Sequence, residues 1–364
     1  MIINNYLISF KQFFSKQTFV FALSFLVGFQ VIGQEKGKDY TLVGIGFYNV
    51  ENLFDTINTP GVRDLEYTPE GSNLWGTQRY YEKLDRLSEV IEQLGTEKTP
   101  DGMAVLGLAE IENREVIQDL IDTERLKGRG YEIVHYDSPD KRGVDVGLIY
   151  LPQYYTVESS KSYTLKIEGM DNFYTRDQLL VSGDLLGERF HFIVAHWPSR
   201  RGGEKRSSPL REAAADLARG IIDSIQKAEG PNAKVIFMGD LNDDPTSTSV
   251  KQNMRSVGKE RKMTEETVFN PFEYFFKKGI GTLAWRDSWN LFDQIMLTPP
   301  LVSKNGIYDE QFKFYKAVVF NKPFLRQADG RFKGYPFRSF AGGQYLAGYS
   351  DHFPVYLFLI REVK

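Results

Sequence analysis

The sequence predicts an α/β fold in which short buried strands alternate with amphipathic helices. Apolar runs of strand length recur along the chain, and helical patterns with a period of 3.6 residues lie between several of them. Polar residues stand at the ends of these runs, as in residues 239–245 after the run 235–238 and residues 350–352 before the run 355–360. Because α/β enzymes build their sites on loops at strand ends, this pattern indicates an enzyme.

Seven strands are expected from short apolar or alternating stretches. They lie at residues 41–48, 103–109, 144–150, 190–195, 235–238, 294–297 and 354–360. Residues 55–76 and 246–290 lack such a pattern and are expected to be long loops or insertions. No composition change marks a linker, so we expect one domain from residue 34 to residue 364.

Three helices follow from apolar periodicity and from capping residues. Residues 78–94 form an amphipathic helix that ends before Gly95. Its buried face is expected to contain Tyr81, Leu84, Leu87, Ile91 and Leu94. Asn113 caps a second, shorter helix. The pair Ser208-Pro209 opens a third helix that runs through residue 228, since proline is favoured in a first turn.

The composition excludes several kinds of site. The 364-residue chain has no cysteine, which excludes disulfides, thiolate metal sites and thiol catalysis. Its net charge of −3 is mildly acidic, so any affinity for nucleic acid has to come from a local basic face. The sequence also lacks the serine nucleophile elbow, the nucleotide phosphate-binding loop, the zinc-protease helix motif and the dinucleotide fingerprint. These absences remove the main competing chemistries.

Residues 1–33 have the features of a secretory signal peptide. Lys11 and Lys16 precede an apolar stretch at residues 18–29, and a small residue precedes Gln34. The stretch is shorter than the ~20 residues that a spanning helix needs, so we expect cleavage and export, with an uncleaved anchor as the alternative. An exported protein without cysteine is typical of a bacterial periplasmic or extracellular enzyme. We expect a monomer without stable membrane insertion.

Six short motifs place polar residues at strand ends. They are YNVENLFD at 48–55, LAEIEN at 108–113, AHWPS at 195–199, GDLN at 239–242, FDQIML at 292–297 and SDHFP at 350–354. In this order they resemble the endonuclease/exonuclease/phosphatase superfamily, which includes pancreatic-type DNases, abasic-site endonucleases, neutral sphingomyelinases and inositol-polyphosphate phosphatases. The resemblance spans residues 41–360, and six motifs in the family order form a specific signature.

The resemblance implies a DNase I-like fold, which is a four-layer α/β sandwich. Two packed mixed β-sheets would lie face to face, with helices on both outer sides. The six motifs would then meet at one rim of the sandwich. The implied reaction is divalent-metal-dependent hydrolysis of a phosphoric ester by in-line attack of water.

The resemblance identifies Glu110 as the metal ligand and places Asn49, Glu51 and Asp351 in the shell around the ion. Hard cations such as Mg²⁺ and Mn²⁺ take oxygen ligands and keep several waters that a substrate phosphate can replace. Mg²⁺ or Mn²⁺ is therefore the expected cofactor, with Ca²⁺ as a further candidate. Glu51 stands where many family members have aspartate, which leaves its direct ligation open.

Asp240, Asn242, His352 and Asp293 match the family's catalytic positions. Asp240 would orient or deprotonate the attacking water, and Asn242 would hold Asp240 or a phosphate oxygen. Two residues apart on an extended segment, these side chains would project the same way. His352 would contact the scissile phosphate, with Asp293 fixing its tautomer and raising its pKa. The alternatives are an Asp- and Asn-rich turn and a purely structural Asp–His pair.

His196 matches a family position that contacts phosphate or assists the leaving oxygen. Asp145 is the expected partner that orients His196. The other two histidines, His135 and His191, lie within alternating stretches outside the motifs. We expect both of them to be structural.

Basic residues follow His196 in a glycine-rich loop. Arg200, Arg201 and Arg206 are expected to bind substrate phosphate, with a functionally silent loop as the alternative. A second segment, residues 312–340, interleaves basic and aromatic residues. This pattern is compatible with base stacking or with rings packed on the core.

Together these assignments predict a phosphodiesterase, more narrowly an exported endonuclease or exonuclease acting on nucleic acid. A phosphomonoesterase or a phospholipid hydrolase of sphingomyelinase type is the alternative within the same superfamily. A non-catalytic envelope binding module is a third hypothesis, which the retained catalytic set disfavours.

Overall fold

The computed structural model describes residues 39–303 and 306–363, and the expected signal peptide at residues 1–33 lies outside these ranges. The strands are β1 (Tyr40–Leu53), β2 (Met103–Ile111), β3 (Glu132–His135), β4 (Asp145–Tyr150), β5 (Tyr155–Tyr163), β6 (Gln178–Leu185), β7 (Glu188–His196), β8 (Val235–Asp240), β9 (Ser256–Val257), β10 (Val268–Phe269), β11 (Leu283–Trp285), β12 (Ser288–Asn290), β13 (Asp293–Leu297), β14 (Lys313–Val319), β15 (Phe340–Ala341), β16 (Gln344–Tyr345) and β17 (Val355–Glu362). The α-helices are α1 (Thr77–Ile91), α2 (Arg114–Ile121), α3 (Glu204–Glu229) and α4 (Phe272–Lys277).

Two large sheets form the centre of the structure. The first has the strand order β14-β17-β1-β2-β4-β3, and the second has the order β5-β6-β7-β8-β13-β10-β9. Both sheets are mixed, because β1 runs parallel to β2 and β7 parallel to β8, whereas β17 and β13 run antiparallel to their neighbours. The parallel pairs bring the C-terminal ends of neighbouring strands together.

The sheets pack against each other, and α3 covers the outer face of the second sheet. Phe192, Val194 and Met238 share one buried cluster with residues of the first sheet and of α1 and α2. The intervening residues Ile193 and Phe237 join α3 in a separate buried cluster. This alternation follows from the two-residue period of strands that are buried on both faces. The layers confirm the predicted α/β sandwich of two mixed sheets flanked by helices.

Helix α1 forms where the periodicity predicted it but ends at Ile91 instead of residue 94, and Leu84, Leu87, Ile91 and Leu94 are buried as predicted. Tyr80 is buried and Tyr81 is 59% exposed, so the assignment of Tyr81 to the core was wrong. The same inward face also carries Lys83, which is 1% exposed. An inward lysine needs polar partners, because burying an unpaired charge is costly.

The helix boundaries test the capping predictions. The side chain of Asn113 accepts a hydrogen bond from the N–H of Val116 at 2.9 Å, which confirms it as the cap of α2. Helix α3 begins at Glu204, so the prediction that Pro209 opens it was wrong. Pro209 lies in the second turn, where its missing N–H costs one intrahelical hydrogen bond.

Several helices and strands were not predicted from the sequence. Strands β5, β6 and β14 were not predicted, and residues 246–290 contain short strands, helix α4 and a π-helical turn at Ser249–Asn253. Strand β5 is an edge strand with many exposed positions, so it lacks a clear apolar signal. From Asp39 onward the chain forms one compact unit. Within the described ranges, no helix combines the length and hydropathy required to cross a membrane.

Candidate active site

The ends of strands from both sheets meet at one edge of the sandwich. In the second sheet, Asp240 pairs in register with His196 on one side and with Asp293 on the other. In the first sheet, Asn49 and Glu110 lie near the ends of the parallel strands β1 and β2. Nδ2 of Asn49 donates a hydrogen bond to Oδ2 of Asp240 at 3.0 Å. This bond connects the functional edges of the two sheets.

Irregularities in strand pairing orient the two glutamates of the first sheet. The pairing of β1 with β2 shifts between Asn49 and Leu53, and the pairing of β2 with β4 shifts between Ala109 and Ile111. Within these shifts, Glu51 and Glu110 adopt left-handed φ angles of 53° and 63°. Such bulges redirect a side chain out of strand alternation, and they are frequent near active sites.

Asp240 is held through both carboxylate oxygens. Asn49 donates to Oδ2, and the backbone N–H of Asn242 donates to Oδ1 at 2.9 Å. Asn242 has a left-handed φ of 49°, and its side chain donates to the Trp197 carbonyl at 3.0 Å. The expected extended Asp–Asn pair is therefore a turn, and the backbone of Asn242 holds Asp240. Burial raises the pKa of Asp240 to about 6, against the opposing charge of His352.

His352 forms a buried pair with Asp293, as the resemblance implied. Its Nδ1 lies 2.7 Å from Oδ2 of Asp293, while its Nε2 lies 3.8 Å from Oδ2 of Asp240. Burial alone lowers the pKa of His352, but the charges of Asp293 and Asp240 outweigh it and raise that pKa well above its usual value. His352 is therefore an imidazolium that donates to Asp293 and presents Nε2–H beside Asp240.

His196 has the opposite electrostatic character. Its Nε2 lies 3.5 Å from Oδ2 of Asp240 and 3.8 Å from Oε1 of Glu110. Burial lowers the pKa of His196 well below its usual value, and the charges of Arg176 and Arg142 add to this effect. His196 is therefore a neutral imidazole at neutral pH.

The expected pairing of Asp145 with His196 is wrong. Oδ2 of Asp145 lies 3.1 Å from Nε2 of His135, and its Oδ1 accepts the N–H of Ser138 at 2.9 Å. Nδ1 of His196 is buried without a hydrogen-bond partner among the described residues. Asp145 thus holds His135 and the loop after β3, and a structural role of His135 remains a prediction.

Glu110 keeps one carboxylate oxygen available for a ligand. Its Oε2 accepts the N–H of Asn52 at 3.0 Å. Its Oε1 lies 3.7 Å from an Arg142 nitrogen and 3.8 Å from His196, and both distances exceed a hydrogen bond. An oxygen donor beside other carboxylates suits a hard divalent cation. Asp240, Asp293 and His352 also lie close enough together to share an ion, although a hydrogen bond already joins the last two.

Glu51 and Asp351 are bridged by an arginine. Nε of Arg338 lies 3.2 Å from Oε1 of Glu51, and its Nη2 lies 2.8 Å from Oδ2 of Asp351. Oε2 of Glu51 accepts the N–H of Ser339 at 2.6 Å and lies 4.0 Å from Nζ of Lys83. Burial raises the pKa of Glu51 to about 7 and lowers that of Lys83 to about 8.

The three arginines expected to bind phosphate differ in their surroundings. Arg200 donates to the Asn242 carbonyl at 2.9 Å, and its Nη2 lies 3.2 Å from both Asp243 and Asp244. These bonds hold Arg200 against the loop after β8, and its phosphate contact remains a prediction. Arg201 is exposed on the glycine-rich loop and Arg206 is exposed in the first turn of α3, and their phosphate contact also remains a prediction.

Sequence reasoning missed three cations near the site. Arg142 lies in the loop between β3 and β4, Lys83 on the apolar face of α1, and Arg338 in residues 312–340, where basic and aromatic residues alternate. The spacing of Lys83 with Tyr80, Leu84 and Leu87 was a usable signal, because a lysine on an apolar helical face needs a buried partner. Nothing in the local sequence links Arg338 to Glu51, which is 287 residues away.

Solved structures share this architecture over most of the chain. An endonuclease/exonuclease/phosphatase family protein from Bacteroides thetaiotaomicron is 16% identical, with 90% of this chain and 97% of that chain covered and a TM-score of 0.52. D. rerio TDP2 complexed with a single-strand DNA product is 16% identical, with 88% and 99% covered and a TM-score of 0.51. A mannosyl-6-phosphatase of Bacteroides thetaiotaomicron is 16% identical, with 87% and 99% covered and a TM-score of 0.50. These similarities show the fold.

The fold and the site at its strand ends define a phosphoric ester hydrolase. A model of the Endonuclease/Exonuclease/phosphatase family matches residues 44–361, a range that includes every predicted site residue. The chain therefore belongs to the endonuclease/exonuclease/phosphatase family, as its six motifs indicated. No curated protein shows significant sequence similarity to this chain.

Proposed function

We propose that this enzyme is a divalent-metal-dependent phosphodiesterase that hydrolyses nucleic acid. The observation that carries the proposal is the buried arrangement of Asp293, His352 and Asp240, in which Nε2 of the imidazolium lies 3.8 Å from the aspartate. This places a proton acceptor at the end of β8 beside a positive charge that comes from the segment before β17 of the other sheet. A general base and a positive charge both promote in-line attack of water on a phosphoric ester.

Asp240 is the group that orients and deprotonates the attacking water. Asn49 and the backbone of Asn242 each occupy one of its oxygens, which leaves further lone pairs for a water molecule. Its pKa of about 6 leaves it ionised at neutral pH while keeping it basic enough to accept a proton.

The two histidines have different roles at the phosphate. His352 places its positive charge at the non-bridging oxygens, where negative charge increases in the transition state. His196 is neutral, so it contributes a directed hydrogen bond rather than a charge.

Glu110 is the residue that would hold the metal ion, and Asn49, Glu51 and Asp351 are the residues expected in the shell around it. A bound Mg²⁺ or Mn²⁺ would polarise a phosphate oxygen and stabilise the leaving alkoxide. The donors fit such an ion because they are oxygen atoms and the chain has no cysteine. Ca²⁺ is a further candidate, since it also takes oxygen ligands.

Nucleic acid is the proposed substrate because TDP2, of the same fold, was solved with a single-strand DNA product. A phosphomonoester is the second candidate, since another protein of this fold is a mannosyl-6-phosphatase. Export to the periplasm or the extracellular space, as a monomer, is part of the same proposal and rests on residues 1–33.

A substrate panel tests the proposal. The purified enzyme is incubated with supercoiled plasmid, RNA, bis(p-nitrophenyl) phosphate, p-nitrophenyl phosphate and sphingomyelin, with Mg²⁺, Mn²⁺, Ca²⁺ or excess chelator. We expect cleavage of the nucleic acids and the diester, loss of activity in chelator, and recovery with Mg²⁺ or Mn²⁺. Full activity in chelator would refute metal dependence, and hydrolysis of only the monoester would favour the phosphomonoesterase.

A further inference from the structure

A cavity of about 670 Å³ lies between the loop that joins β3 to β4 and the loop that joins β5 to β6. Asp137 and Pro139 line it from the first loop, and Thr164, Tyr174 and Asp177 are among the residues that line it from the second. Such a volume is typical of small-ligand sites. Among the described residues, none of those assigned to catalysis or to the metal shell lines this cavity.

Hydrogen bonds connect the walls of the cavity to the active site. Arg176, on the β5–β6 loop, donates through Nη2 to the Trp197 carbonyl at 2.6 Å and through Nη1 to Asp140 at 3.2 Å. Trp197 comes directly after β7, and Asp140 shares the β3–β4 loop with Arg142, whose Nη2 lies 3.7 Å from Oε1 of Glu110. The cavity therefore adjoins the site, and a substrate bound through its phosphate can extend into it.

The β5–β6 loop gives the cavity an apolar wall. Leu165, Ile167 and Phe173 pack into the buried cluster under α3, which anchors the loop. The N–H of Met170 donates to the Ile167 carbonyl at 3.0 Å and closes a turn. Met170 and Tyr174 nevertheless remain 48% and 46% exposed, and both line the cavity. Large apolar side chains that are exposed around a cavity offer a contact surface to a flat ligand.

Asp177 adds a buried carboxylate to the same cavity. Its side chain is 7% exposed, and its Oδ2 accepts the hydroxyl of Ser162 at 2.6 Å and that of Thr164 at 3.1 Å. Its Oδ1 is buried without a hydrogen-bond partner among the described residues. A buried carboxylate oxygen without a hydrogen bond is costly. The cavity therefore favours a ligand that has an apolar face and donates a hydrogen bond.

We propose that this cavity binds a nucleobase of the substrate that flanks the scissile phosphate, and that it prefers bases with an exocyclic amino group. The base lies against Tyr174 and Met170 and donates an amino N–H to Oδ1 of Asp177. Adenine, cytosine and guanine have such a group. Thymine and uracil flank their one ring N–H with carbonyl oxygens, which a carboxylate repels. The proposal rests on the proposed action on nucleic acid and adds a base preference to it.

Single-stranded oligodeoxyadenylate, oligodeoxycytidylate and oligodeoxythymidylate of equal length test the preference through kcat/KM. We expect the wild type to favour the first two by on the order of tenfold, the effect of one hydrogen bond to a charged acceptor. In Asp177→Asn the amide carbonyl can keep the bonds from Ser162 and Thr164, while its NH₂ replaces the free acceptor with a donor. The preference for the amino-bearing bases should therefore be lost in this variant.

Asp184→Asn is the matched control for this substitution. Asp184 also lies on β6 or its boundary loop, but at the turn to β7, where its Oδ1 accepts the N–H of Gly187 at 2.6 Å. The control should keep the wild-type ratio of kcat/KM values. Comparing ratios between variants removes the differences in stacking among the three single strands.

Nucleosides separate this proposal from the proposed function, because they have no phosphate and need no metal. Binding of adenosine, cytidine and uridine is measured by calorimetry in excess chelator. We expect adenosine and cytidine to bind more tightly than uridine, and Tyr174→Ala to weaken the binding of all three. Since Tyr174 is half-exposed, this second variant remains informative if Asp177→Asn does not fold.

Each outcome decides one of the two proposals. Equal affinity for the three nucleosides, or the same kcat/KM ratio in the wild type and in folded Asp177→Asn, would overturn the base site while leaving nucleic-acid hydrolysis intact. Unchanged nucleoside affinity in Tyr174→Ala would also overturn it. Selective nucleoside binding by an enzyme that cleaves no nucleic acid would refute the proposed function and retain the cavity as a nucleobase site.

Discussion

At the scale of single residues, the site is organised by the different charges of two buried imidazoles. His352 has two aspartates within reach and is protonated, whereas His196 is buried near Arg176 and Arg142 and is neutral. Neither state follows from residue type, since an unperturbed histidine titrates near pH 6.5. Neighbours that are distant in sequence decide which imidazole supplies charge and which supplies only a hydrogen bond.

Asp240→Asn tests the general base. The amide has nearly the same shape, so we expect the fold and Mn²⁺ affinity to be retained. The substitution removes the proton acceptor, so kcat on the diester should fall by on the order of 10²–10⁴. Rates near those of the wild type would show that another group accepts the proton.

Asp293→Asn and His352→Ala test whether this pair acts as a unit. Each single variant should lose most activity, and the double variant should be little worse than either, because residues that act together are strongly non-additive. The kcat of all three variants on the same diester supplies the comparison. Losses that add in free energy would show that the two residues act independently.

The pH profile of Asp293→Asn gives a second measure of the same pair. The charge of Asp293 helps to raise the pKa of His352, so its removal lowers that pKa. Because the imidazolium is the active form, the alkaline limb of kcat should move to lower pH. An alkaline limb that stays in place would assign that ionisation to another group.

At the scale of elements, the sequence predicted the strands and helices that follow from residue patterns along the chain. It did not predict the contacts between residues that are distant in sequence. Polar residues at strand ends can be recognised in the sequence, because one apolar run ends before Asp240 and another begins after His352. The left-handed backbone at Glu51 and Glu110 could not be predicted from the sequence. Glutamate does not favour positive φ, and only the pairing between strands imposes it. The partner of Asp145 was wrongly predicted for the same reason, because its hydrogen-bond partner comes from a neighbouring strand of the sheet.

Gly239→Ala tests how closely β7 and β8 must approach beside Asp240. An added Cβ would lie 2.2 Å from the carbonyl oxygen of Ala195, so the strands would have to separate. We expect a loss of about 1–3 kcal/mol in the free energy of unfolding, measured in urea, together with a lower kcat. Gly220→Ala is the control, because its Cβ points into open space on α3. It should gain roughly 0.5–1 kcal/mol and keep full activity.

At the scale of the whole molecule, the catalytic set is divided between the two sheets. Asn49 and Glu110 come from the first sheet, and His352 lies just before strand β17 of that sheet. Asp240 and Asp293 belong to the second sheet. Two hydrogen bonds cross between these groups, from Asn49 to Asp240 and between His352 and Asp293. The packing of the sheets therefore sets the catalytic distances. The sequence showed the members of this set but not these distances.

Export is the last property to test on the whole molecule. Lys11 and Lys16 followed by a short apolar stretch should direct the chain to the secretory machinery, and cleavage near residue 33 should release it. We expect the full chain, expressed in a Gram-negative bacterium, to yield soluble periplasmic or extracellular enzyme whose amino terminus, read by mass spectrometry, lies at or near Gln34. A chain started at Gln34 should remain in the cytoplasm with the same specific activity. Recovery of the intact amino terminus in the membrane fraction would instead identify residues 1–33 as an anchor, because an uncleaved apolar stretch stays in the bilayer.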